Sequence, residues 1–226
     1  MLNNEIHEEY MKKILSNIFT SEIWQFLAFK WWTLAYLKYN LDRFSTDIDL
    51  DLLDINKETL VISKIREILV MFGDIKNETL GKTIHRWIFR YDEKSMNIKI
   101  EINKRIWTYN TYKNQKIADN DILCMTKDCL FTNKLVALSE RFYPRDLYDI
   151  NYFFKKWFKI KEELIKERTW LTTKELLKKL IKEIKIRFNE NNILIWLWEV
   201  IDDKQKNLVK KILIKETIEQ IQQFSK

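Results

Sequence analysis

Alternating aspartates mark the stretch from Asp47 to Leu52. Asp47, Asp49 and Asp51 alternate with aliphatic residues, so a strand would carry the carboxylates on one face and the aliphatic side chains on the other. Two carboxylates at positions i and i+2 of a strand can bind one hard cation or bridge two. The alternative is an edge strand with a solvated acidic face. The spacing therefore predicts a strand over residues 45–53 and leaves both interpretations open.

A third carboxylate lies on a second predicted strand. Every second residue from 98 to 102 is isoleucine, which places Glu101 on the polar face of a half-buried strand. This strand pairs in a predicted hairpin, with strands over residues 83–91 and 96–103 around a turn at 92–95. Carboxylates from two neighbouring strands suit two magnesium ions that activate a hydroxyl and stabilise a triphosphate leaving group.

The elements that must position these strands change character along the chain. Helices and strands alternate in the first part and helices dominate the second, which predicts an α+β core at residues 1–125 and a helical lobe at residues 126–226. The expected helices cover residues 5–19, 33–39, 57–72, 126–140, 145–158, 172–188 and 204–224. A short strand is expected at 23–29, and residues 107–117 are read as an edge strand or an ordered loop.

The net charge of +7 is concentrated at one end of the chain. Residues 151–226 hold 18 Lys and Arg against 11 Asp and Glu, whereas the first 150 residues hold 22 of each. A basic helical lobe suits a polyanion such as RNA, and the alternative is a set of solvated, lysine-rich helix faces.

The remaining composition indicates a reduced cytoplasmic protein. No apolar stretch is long enough to span a membrane, and the acidic residues 1–9 lack the apolar segment of a secretion signal. Cys124 and Cys129 do not have the spacing of a zinc site or of a redox pair.

Four segments of the chain form an ordered set of motifs. They are Arg43–Asp49, Ile98–Ile102, Lys134–Leu138 followed by Arg141, and Pro144–Asp149. In this order they resemble the AbiEii/AbiGii (MenT-like) toxin family of the nucleotidyltransferase superfamily. The family pattern contains Arg-Phe-Ser-x-Asp-hydrophobic-Asp, a later carboxylate strand, a Lys-Leu-x-Ala-Leu helix and an Arg-Asp-x-Tyr-Asp helix. The resemblance covers about residues 27–152.

The resemblance implies a mixed nucleotidyltransferase-like sheet flanked by helices and a magnesium-dependent enzyme. Such an enzyme moves a nucleoside monophosphate from a nucleoside triphosphate to an acceptor hydroxyl and releases pyrophosphate. Asp47 and Asp49 would be ligands of two Mg²⁺ ions, with Glu101 as the third carboxylate on the side of the attacking hydroxyl. Asp51 lies beyond the family pattern and is interpreted as a bystander.

The resemblance also implies a set of nucleotide-binding residues. Thr33, Arg43 and Ser45 would contact the triphosphate, Lys134 would compensate charge on the transferred phosphates, and Asp146 would orient Lys134. Four of these residues also have a structural alternative. For Ser45 the alternative is turn capping, and for Arg43 it is an ion pair with Asp42 or Asp51. For Lys134 it is a place on a solvated helix face, and for Asp146 it is helix initiation.

The first motif of the family departs from its pattern. Where the family has Gly-Gly-Thr-x-Leu, this chain has Trp31 and Trp32 before Thr33. Glycines there let backbone amides approach phosphates at a helix N-terminus, and two indoles would fill that space. Positions 31 and 32 are the predicted nucleotide-binding positions of this motif. Taken literally, Trp31 and Trp32 at these positions predict an inactive protein.

A reassigned codon is the alternative explanation. Average usage predicts about 16 glycines in a chain of this length, yet the chain has 2 glycines and 9 tryptophans. Some bacteria read UGA as glycine, and a translation with another code reads it as tryptophan. We therefore hypothesise that Trp31 and Trp32 are glycines in the native protein. Some of the other tryptophans would then be glycines as well: Trp24, Trp87, Trp107, Trp157, Trp170, Trp196 and Trp198.

The biological role implied by the resemblance is the toxin half of a toxin–antitoxin or phage-defence pair. The expected acceptor is the 3′ end of tRNA, held by the basic lobe, and the expected partners are a nucleoside triphosphate, RNA and a cognate antitoxin, with no membrane. One alternative is a catalytically inactive RNA- or protein-binding module. Another is a small-molecule nucleotidyltransferase of the aminoglycoside-modifying type, although the segment Arg145–Asp149 favours the toxin family.

Overall fold

The computed structural model describes residues 4–93 and 96–224. Within this range the chain forms two compact units. The first contains the residues up to Ile106 together with Thr111–Met125. The second contains Trp107–Asn110 and the residues from Thr126 onward.

The first unit is built on a seven-stranded sheet flanked by helices. The helices are α1 (Asn4–Thr20), α2 (Trp31–Tyr39) and α3 (Glu58–Phe72), and the strands are β1 (Leu27–Lys30), β2 (Asp47–Leu52), β3 (Asp74–Leu80), β4 (Ile84–Arg90), β5 (Ile98–Asn103), β6 (Tyr112–Ile117) and β7 (Asn120–Met125). The order of the strands in the sheet is β3-β4-β5-β2-β1-β7-β6. Strand β2 is parallel to β5 and β1 is parallel to β7, while the other neighbouring strands are antiparallel. The predicted mixed sheet of an α+β protein is therefore confirmed.

Apolar alternation explains why β2 and β5 lie at the centre of this sheet. Ile48 and Leu50 of β2 and Ile100 of β5 are fully buried, and full burial of such a side chain contributes about 1.5–3 kcal/mol. One face of α3 is also buried, through residues that include Ile65 and Leu69. The parallel pairing of β2 with β5 then places the polar faces of the two strands side by side.

Several element boundaries differ from the sequence-based prediction. The strand expected at residues 23–29 is limited to Leu27–Lys30, because Trp24–Phe26 form a short 3₁₀ turn. Strand β6 occupies the end of the sheet, which resolves the alternative between an edge strand and a loop. Of the turn expected at residues 92–95, Lys94 and Ser95 lie outside the described residues.

Two strands of the first unit were not predicted. Strand β3 is a largely exposed partner of β4 and lacks an apolar row, so periodicity does not reveal it. Strand β7 follows β6 after only Ala118 and Asp119, both of which have positive φ. That backbone is the one that a two-residue hairpin turn requires, although neither residue is glycine.

The second unit is helical. It contains α4 (Lys127–Arg141), α5 (Pro144–Lys155), α6 (Glu162–Thr169), α7 (Thr173–Arg187) and α8 (Asp203–Phe224). The four helices predicted here are confirmed, although α5 ends at Lys155 rather than at residue 158. Helix α6 was not predicted, since eight mostly charged residues carry little periodic signal. Among the described residues, no helix combines the length and the apolar character needed to cross a membrane.

Candidate active site

The parallel pairing of β2 with β5 sets the positions of the three predicted metal ligands. Asp49 lies directly opposite Glu101, and Asp47 lies opposite Lys99. Since neighbouring strands are about 4.8 Å apart, Asp47, Asp49 and Glu101 form a cluster on one face of the sheet. Lys99 lies among them.

Two of these carboxylates have close cationic partners. The Lys99 ammonium lies 2.8 Å from Oδ2 of Asp47 and 3.7 Å from Oε1 of Glu101. Glu101 also accepts a hydrogen bond of 2.6 Å from Nε of Arg86. The cluster therefore carries three carboxylates beside two cationic side chains.

Asp49 is the most buried carboxylate of this cluster, with 7% of its surface exposed. Burial raises its pKa to about 7, and the negative charges of Asp47 and Glu101 add to the effect while Lys99 and Lys30 oppose it. A carboxylate with such a pKa is only partly ionised at neutral pH, and a nearby cation would favour its ionised form.

The chemistry of this cluster fits a magnesium ion. Carboxylate oxygens are the hard donors that Mg²⁺ prefers. Burial is the main cause of the raised pKa of Asp49, and a cation would balance the further contribution from the negative charges of Asp47 and Glu101. Over the part of the chain that the structure describes, no three His, Cys, Asp or Glu side chains are arranged to hold a metal as they stand. Lys99 and Arg86 hold the carboxylates of Asp47 and Glu101, so metal binding requires these carboxylates to exchange partners.

The turn between β1 and α2 corresponds to the first family motif. Strand β1 ends at Lys30, and α2 begins with Trp31, whose φ is 61°. The ring centroids of Trp31 and Trp32 lie 5.2 Å apart. The Lys30 ammonium lies 5.5 Å from the ring of Trp31, and the Arg43 guanidinium lies 5.2 Å from the ring of Trp32. Two indoles and two cations therefore meet at the N-terminus of this helix.

The predicted phosphate-binding hydroxyls join α2 to the start of β2. Thr33 and Ser45 are buried, and their hydroxyl oxygens lie 2.9 Å apart. Thr33 also donates a hydrogen bond to the main-chain carbonyl of Asp47. Arg43 is buried and donates to the carbonyl of Phe44 at 3.2 Å. These contacts place all three predicted residues beside the carboxylate strand, while their contact with a triphosphate stays a prediction.

Lys30 and Asp51 form a buried ion pair beside the candidate site that was not predicted from the sequence. Lys30 lies next to Asp49 in the pairing of β1 with β2, and its ammonium lies 2.6 Å from Oδ1 of the fully buried Asp51. Asp51 also accepts hydrogen bonds from the hydroxyl of Tyr112 at 2.8 Å and from Nδ2 of Asn103 at 3.3 Å. The available signal was a lysine at the end of an apolar strand together with the third aspartate of the alternation.

In the second unit, Lys134 is fully buried rather than solvated. Its ammonium lies 2.5 Å from Oδ1 of Asp146 and 3.1 Å from Oδ2 of Asp149. Arg141 donates to Oδ2 of Asp146 from Nε at 2.6 Å. Although burial acts to raise the pKa of Asp146, the charges of Lys134 and Arg141 outweigh it and hold that pKa below its usual range. The network joins α4 to α5 and balances two positive with two negative charges.

The contact between Lys134 and Asp146 is the one that an orienting aspartate would make. Asp149, three residues after Asp146 on α5, is a second direct partner of Lys134. The predicted residues thus form two groups. The carboxylates and the predicted nucleotide-binding turn lie in the first unit, and the lysine network lies in the second.

Comparisons with known proteins identify the family. Residues 32–209 match the profile described as "Nucleotidyl transferase AbiEii toxin, Type IV TA system". No curated protein sequence matches the chain.

Several solved structures resemble the chain at low sequence identity. JHP933 from Helicobacter pylori has a TM-score of 0.57 at 19% identity, covering 100% of this chain and 97% of its own. A proposed nucleotidyltransferase from H. pylori has a TM-score of 0.59 at 18% identity, covering 98% and 97%. An antigenic nucleotidyltransferase-like protein from Paracoccidioides brasiliensis has a TM-score of 0.50 at 14% identity, covering 82% and 90%. These structures show a shared fold, and because the family profile matches residues 32–209, the chain belongs to the AbiEii family of nucleotidyltransferase toxins.

Proposed function

We propose that this protein transfers a nucleoside monophosphate from a nucleoside triphosphate to a hydroxyl of RNA, with the 3′ end of tRNA as the acceptor. The observation that carries the proposal is the register of β2 and β5, which places Asp49 opposite Glu101 with Asp47 on the same face. Membership of the AbiEii family supports a toxin, and with it a cognate antitoxin in the cytoplasm.

In this proposal, Asp47, Asp49 and Glu101 hold magnesium. When bound, magnesium supplies positive charge that favours ionisation of the acceptor hydroxyl and neutralises the triphosphate. Glu101 takes the proton of the attacking hydroxyl. The hydroxyl oxygen bonds to the α-phosphorus as the bond from that phosphorus to the pyrophosphate oxygen breaks.

The start of α2 is the proposed triphosphate site. Backbone amides at a helix N-terminus favour anions, and Lys30 and Arg43 add positive charge at the same turn. Thr33 and Ser45 supply hydroxyl groups beside it, and they would donate to a phosphate after exchanging the hydrogen bonds that they make to the carbonyl of Asp47 and to each other.

Lys134 and Asp146 have a supporting role in the same proposal. The ion pair between them and the second pair with Asp149 support orientation of the lysine by both carboxylates. Lys134 and Arg141 together hold the pKa of Asp146 below its usual range, so this carboxylate stays ionised.

A basic groove in the second unit supports an RNA acceptor. The groove lies on α7 and α8 and has a volume of about 580 Å³. Its lining includes Lys185, Lys210, Lys211 and Lys215, together with the acidic Glu190 and Glu219. Lysines along a groove bind a phosphate backbone without reading its sequence.

Label transfer tests the proposed reaction. Protein with glycine at positions 31 and 32 is incubated with Mg²⁺, tRNA and each α-³²P-labelled nucleoside triphosphate in turn. We expect label on tRNA with at least one nucleotide. Asp49→Ala should lower transfer at least about 100-fold, whereas Asp74→Asn, at an exposed carboxylate of β3, should leave it unchanged. Failure with all four nucleotides would contradict the proposal.

A catalytically inactive binding module is the second candidate. The observation that favours it is the pair of indoles at the start of α2. The cations of Lys30 and Arg43 lie over the rings of these indoles. This candidate predicts that nucleoside triphosphates with Mg²⁺ do not raise the melting temperature of the protein with either tryptophan or glycine at positions 31 and 32. Nucleotide-dependent stabilisation of the glycine form would exclude it. An aminoglycoside in place of tRNA tests the small-molecule alternative in the same transfer assay.

A further inference from the structure

Tryptophan occupies an unusual share of the left-handed backbone positions. Of the residues that the structure describes, eight other than glycine have clearly positive φ, and four of these are Trp31, Trp157, Trp170 and Trp196, with φ of 61°, 56°, 63° and 64°. Only a few per cent of residues other than glycine adopt positive φ, so the expected number of tryptophans with positive φ among nine is about 0.3. Neither Gly73 nor Gly81 lies in the left-handed region.

Trp157 occupies a position that normally belongs to glycine. The amide of Phe158 donates to the carbonyl of Phe153 at 3.2 Å, and the amide of Trp157 donates to the carbonyl of Phe154 at 3.0 Å. The rings of Phe153 and Phe158 stack with centroids 4.9 Å apart. These two bonds and this apolar contact define a Schellman motif, whose left-handed residue is usually glycine. In this chain that residue is a tryptophan that is 83% exposed.

Trp170 is a left-handed residue at the end of α6. Its amide donates to the carbonyl of Lys166 at 3.0 Å, and its φ and ψ are 63° and 7°. A single bond of this kind to a left-handed residue is the simpler glycine motif that ends a helix. The side chain of Trp170 is 89% exposed, so burial of the indole does not compensate for the backbone strain.

Trp196 is the third exposed example. It lies in a series of turns before α8, and 62% of its surface is exposed. Its carbonyl accepts a hydrogen bond from Nε of Arg145. The main chain at this position is therefore used in the fold, while most of the indole faces solvent.

Trp87 provides the opposite case. It is fully buried in β4, and its indole nitrogen donates to Oε1 of Glu78 at 2.5 Å. A side chain that fills the core and satisfies its own polar atom is a required tryptophan. Phe142, another left-handed residue, has the guanidinium of Arg187 4.5 Å from its ring centroid, so its ring takes part in the fold.

We propose that residues 31, 157, 170 and 196 are glycine in the native protein, encoded by UGA codons that the producing organism reads as glycine, and that Trp87 is a native tryptophan. The argument for residues 157, 170 and 196 is independent of the proposed function, because it depends only on backbone conformation and exposure. At residue 31, glycine also removes one indole from the turn beside Lys30.

The proposal makes production of the toxin depend on the genetic code of the host. A ribosome that terminates at UGA would stop after Lys30, before any of the three carboxylates had been added. A ribosome that inserts tryptophan would make a chain with an indole in the turn that precedes Thr33. Only a host that reads UGA as glycine would then produce the native form.

The gene and the native protein test the assignment of codons. We expect UGA at codons 31, 157, 170 and 196 and UGG at codon 87, with glycine at the first four positions in peptides of protein purified from the producing organism. UGG at these four codons, or tryptophan in the corresponding peptides, would overturn the proposal.

Thermal stability tests the backbone argument without using activity. In the chain with tryptophan, Trp157→Gly and Trp170→Gly should each raise the melting temperature by about 2–4 °C. The matched controls Trp157→Ala and Trp170→Ala remove the same indole but keep a Cβ atom, so they should gain less. Trp87→Gly should lower the melting temperature, since it leaves a cavity in the core. Equal gains for the glycine and alanine variants would refute the assignment at that site.

Discussion

At the scale of single residues, Asp51 shows how a buried carboxylate stabilises the site. Three donors from three different strands converge on it: Lys30, Asn103 and Tyr112. The interpretation of Asp51 as a bystander to the chemistry stays a prediction. Its buried ion pair was not predicted, because periodicity shows that a residue shares a face but not what lies opposite it. Lys30 in turn lies beside Asp49 in the sheet. Asp51 therefore fixes a cation next to the most buried carboxylate of the cluster.

Asp51→Asn should be strongly destabilising. The substitution leaves the buried ammonium of Lys30 without its counter-charge, and loss of one partner of a buried ion pair costs about 3–5 kcal/mol. Urea unfolding measures the change in free energy. As a control, Asp74→Asn breaks an exposed pair with Lys76 and should cost less than about 1 kcal/mol. Equal losses for the two variants would contradict the role assigned to Asp51.

His7 should make stability depend on pH. Burial lowers its pKa from the ordinary value of 6.5, while the carbonyl of Thr46 and the charge of Asp47 oppose the shift. Between the folded and the unfolded pKa the unfolded chain binds more protons, so this contribution to stability is fully present above about pH 6.5 and is lost as the pH falls. Urea unfolding at pH values from 5 to 8 should therefore show a smaller pH dependence for His7→Gln. An unchanged profile in that variant would exclude this role.

At the scale of elements, apolar periodicity was the strongest guide. It predicted β2 and β5 because Ile48, Leu50 and Ile100 alternate with polar residues. It missed β3 and α6, which are mostly polar and take their conformation from neighbouring elements. The parallel pairing of β2 with β5, which brings Asp49 beside Glu101, joins distant parts of the chain and is not visible in local spacing.

The network between α4 and α5 yields a prediction at this scale. Lys134→Met removes the buried cation that pairs with both Asp146 and Asp149, and we expect a loss of about 3–5 kcal/mol in the free energy of unfolding. Lys127→Met changes an exposed lysine of the same helix and should alter stability by less than about 0.5 kcal/mol. Chemical denaturation of both variants checks the difference, and a loss in Lys134→Met no larger than in the control would rule out a structural role for the network.

At the scale of the whole molecule, composition and motifs were informative in different ways. Motif order within residues 43–149 led to the correct family, and the excess of lysine after residue 150 led to the proposed RNA-binding lobe. The anomalous counts of glycine and tryptophan raised a question about the genetic code. Composition alone did not show which tryptophans are affected, because Trp157 and Trp170 differ from Trp87 in backbone conformation and exposure, which only the structure shows.

Salt dependence should reveal whether the basic groove binds RNA. The slope of log K against log salt concentration changes by about 0.7–0.9 for each phosphate that the protein no longer neutralises. Replacing Lys210 and Lys215 by glutamine should weaken tRNA binding and reduce this slope. As a control, Lys12 and Lys13 of α1 are replaced in the same way; these lysines pair with glutamates on the same helix. This replacement removes the same charge from the other unit and should have little effect on tRNA binding. Equal weakening by both pairs of substitutions would indicate a nonspecific effect of net charge.

The position of β7 in the sheet has a consequence for synthesis of the chain. The buried strand β1 pairs with β2 on one side and with β7 on the other, and this second pairing joins Phe29 to Cys124. Until β7 leaves the ribosome, β1 is an open edge that can pair with another chain. The nascent protein should therefore be most prone to aggregation after β2 and β5 have paired and before residue 125 has emerged. A molecular chaperone that protects this interval would raise the yield of folded protein without contacting the finished sheet.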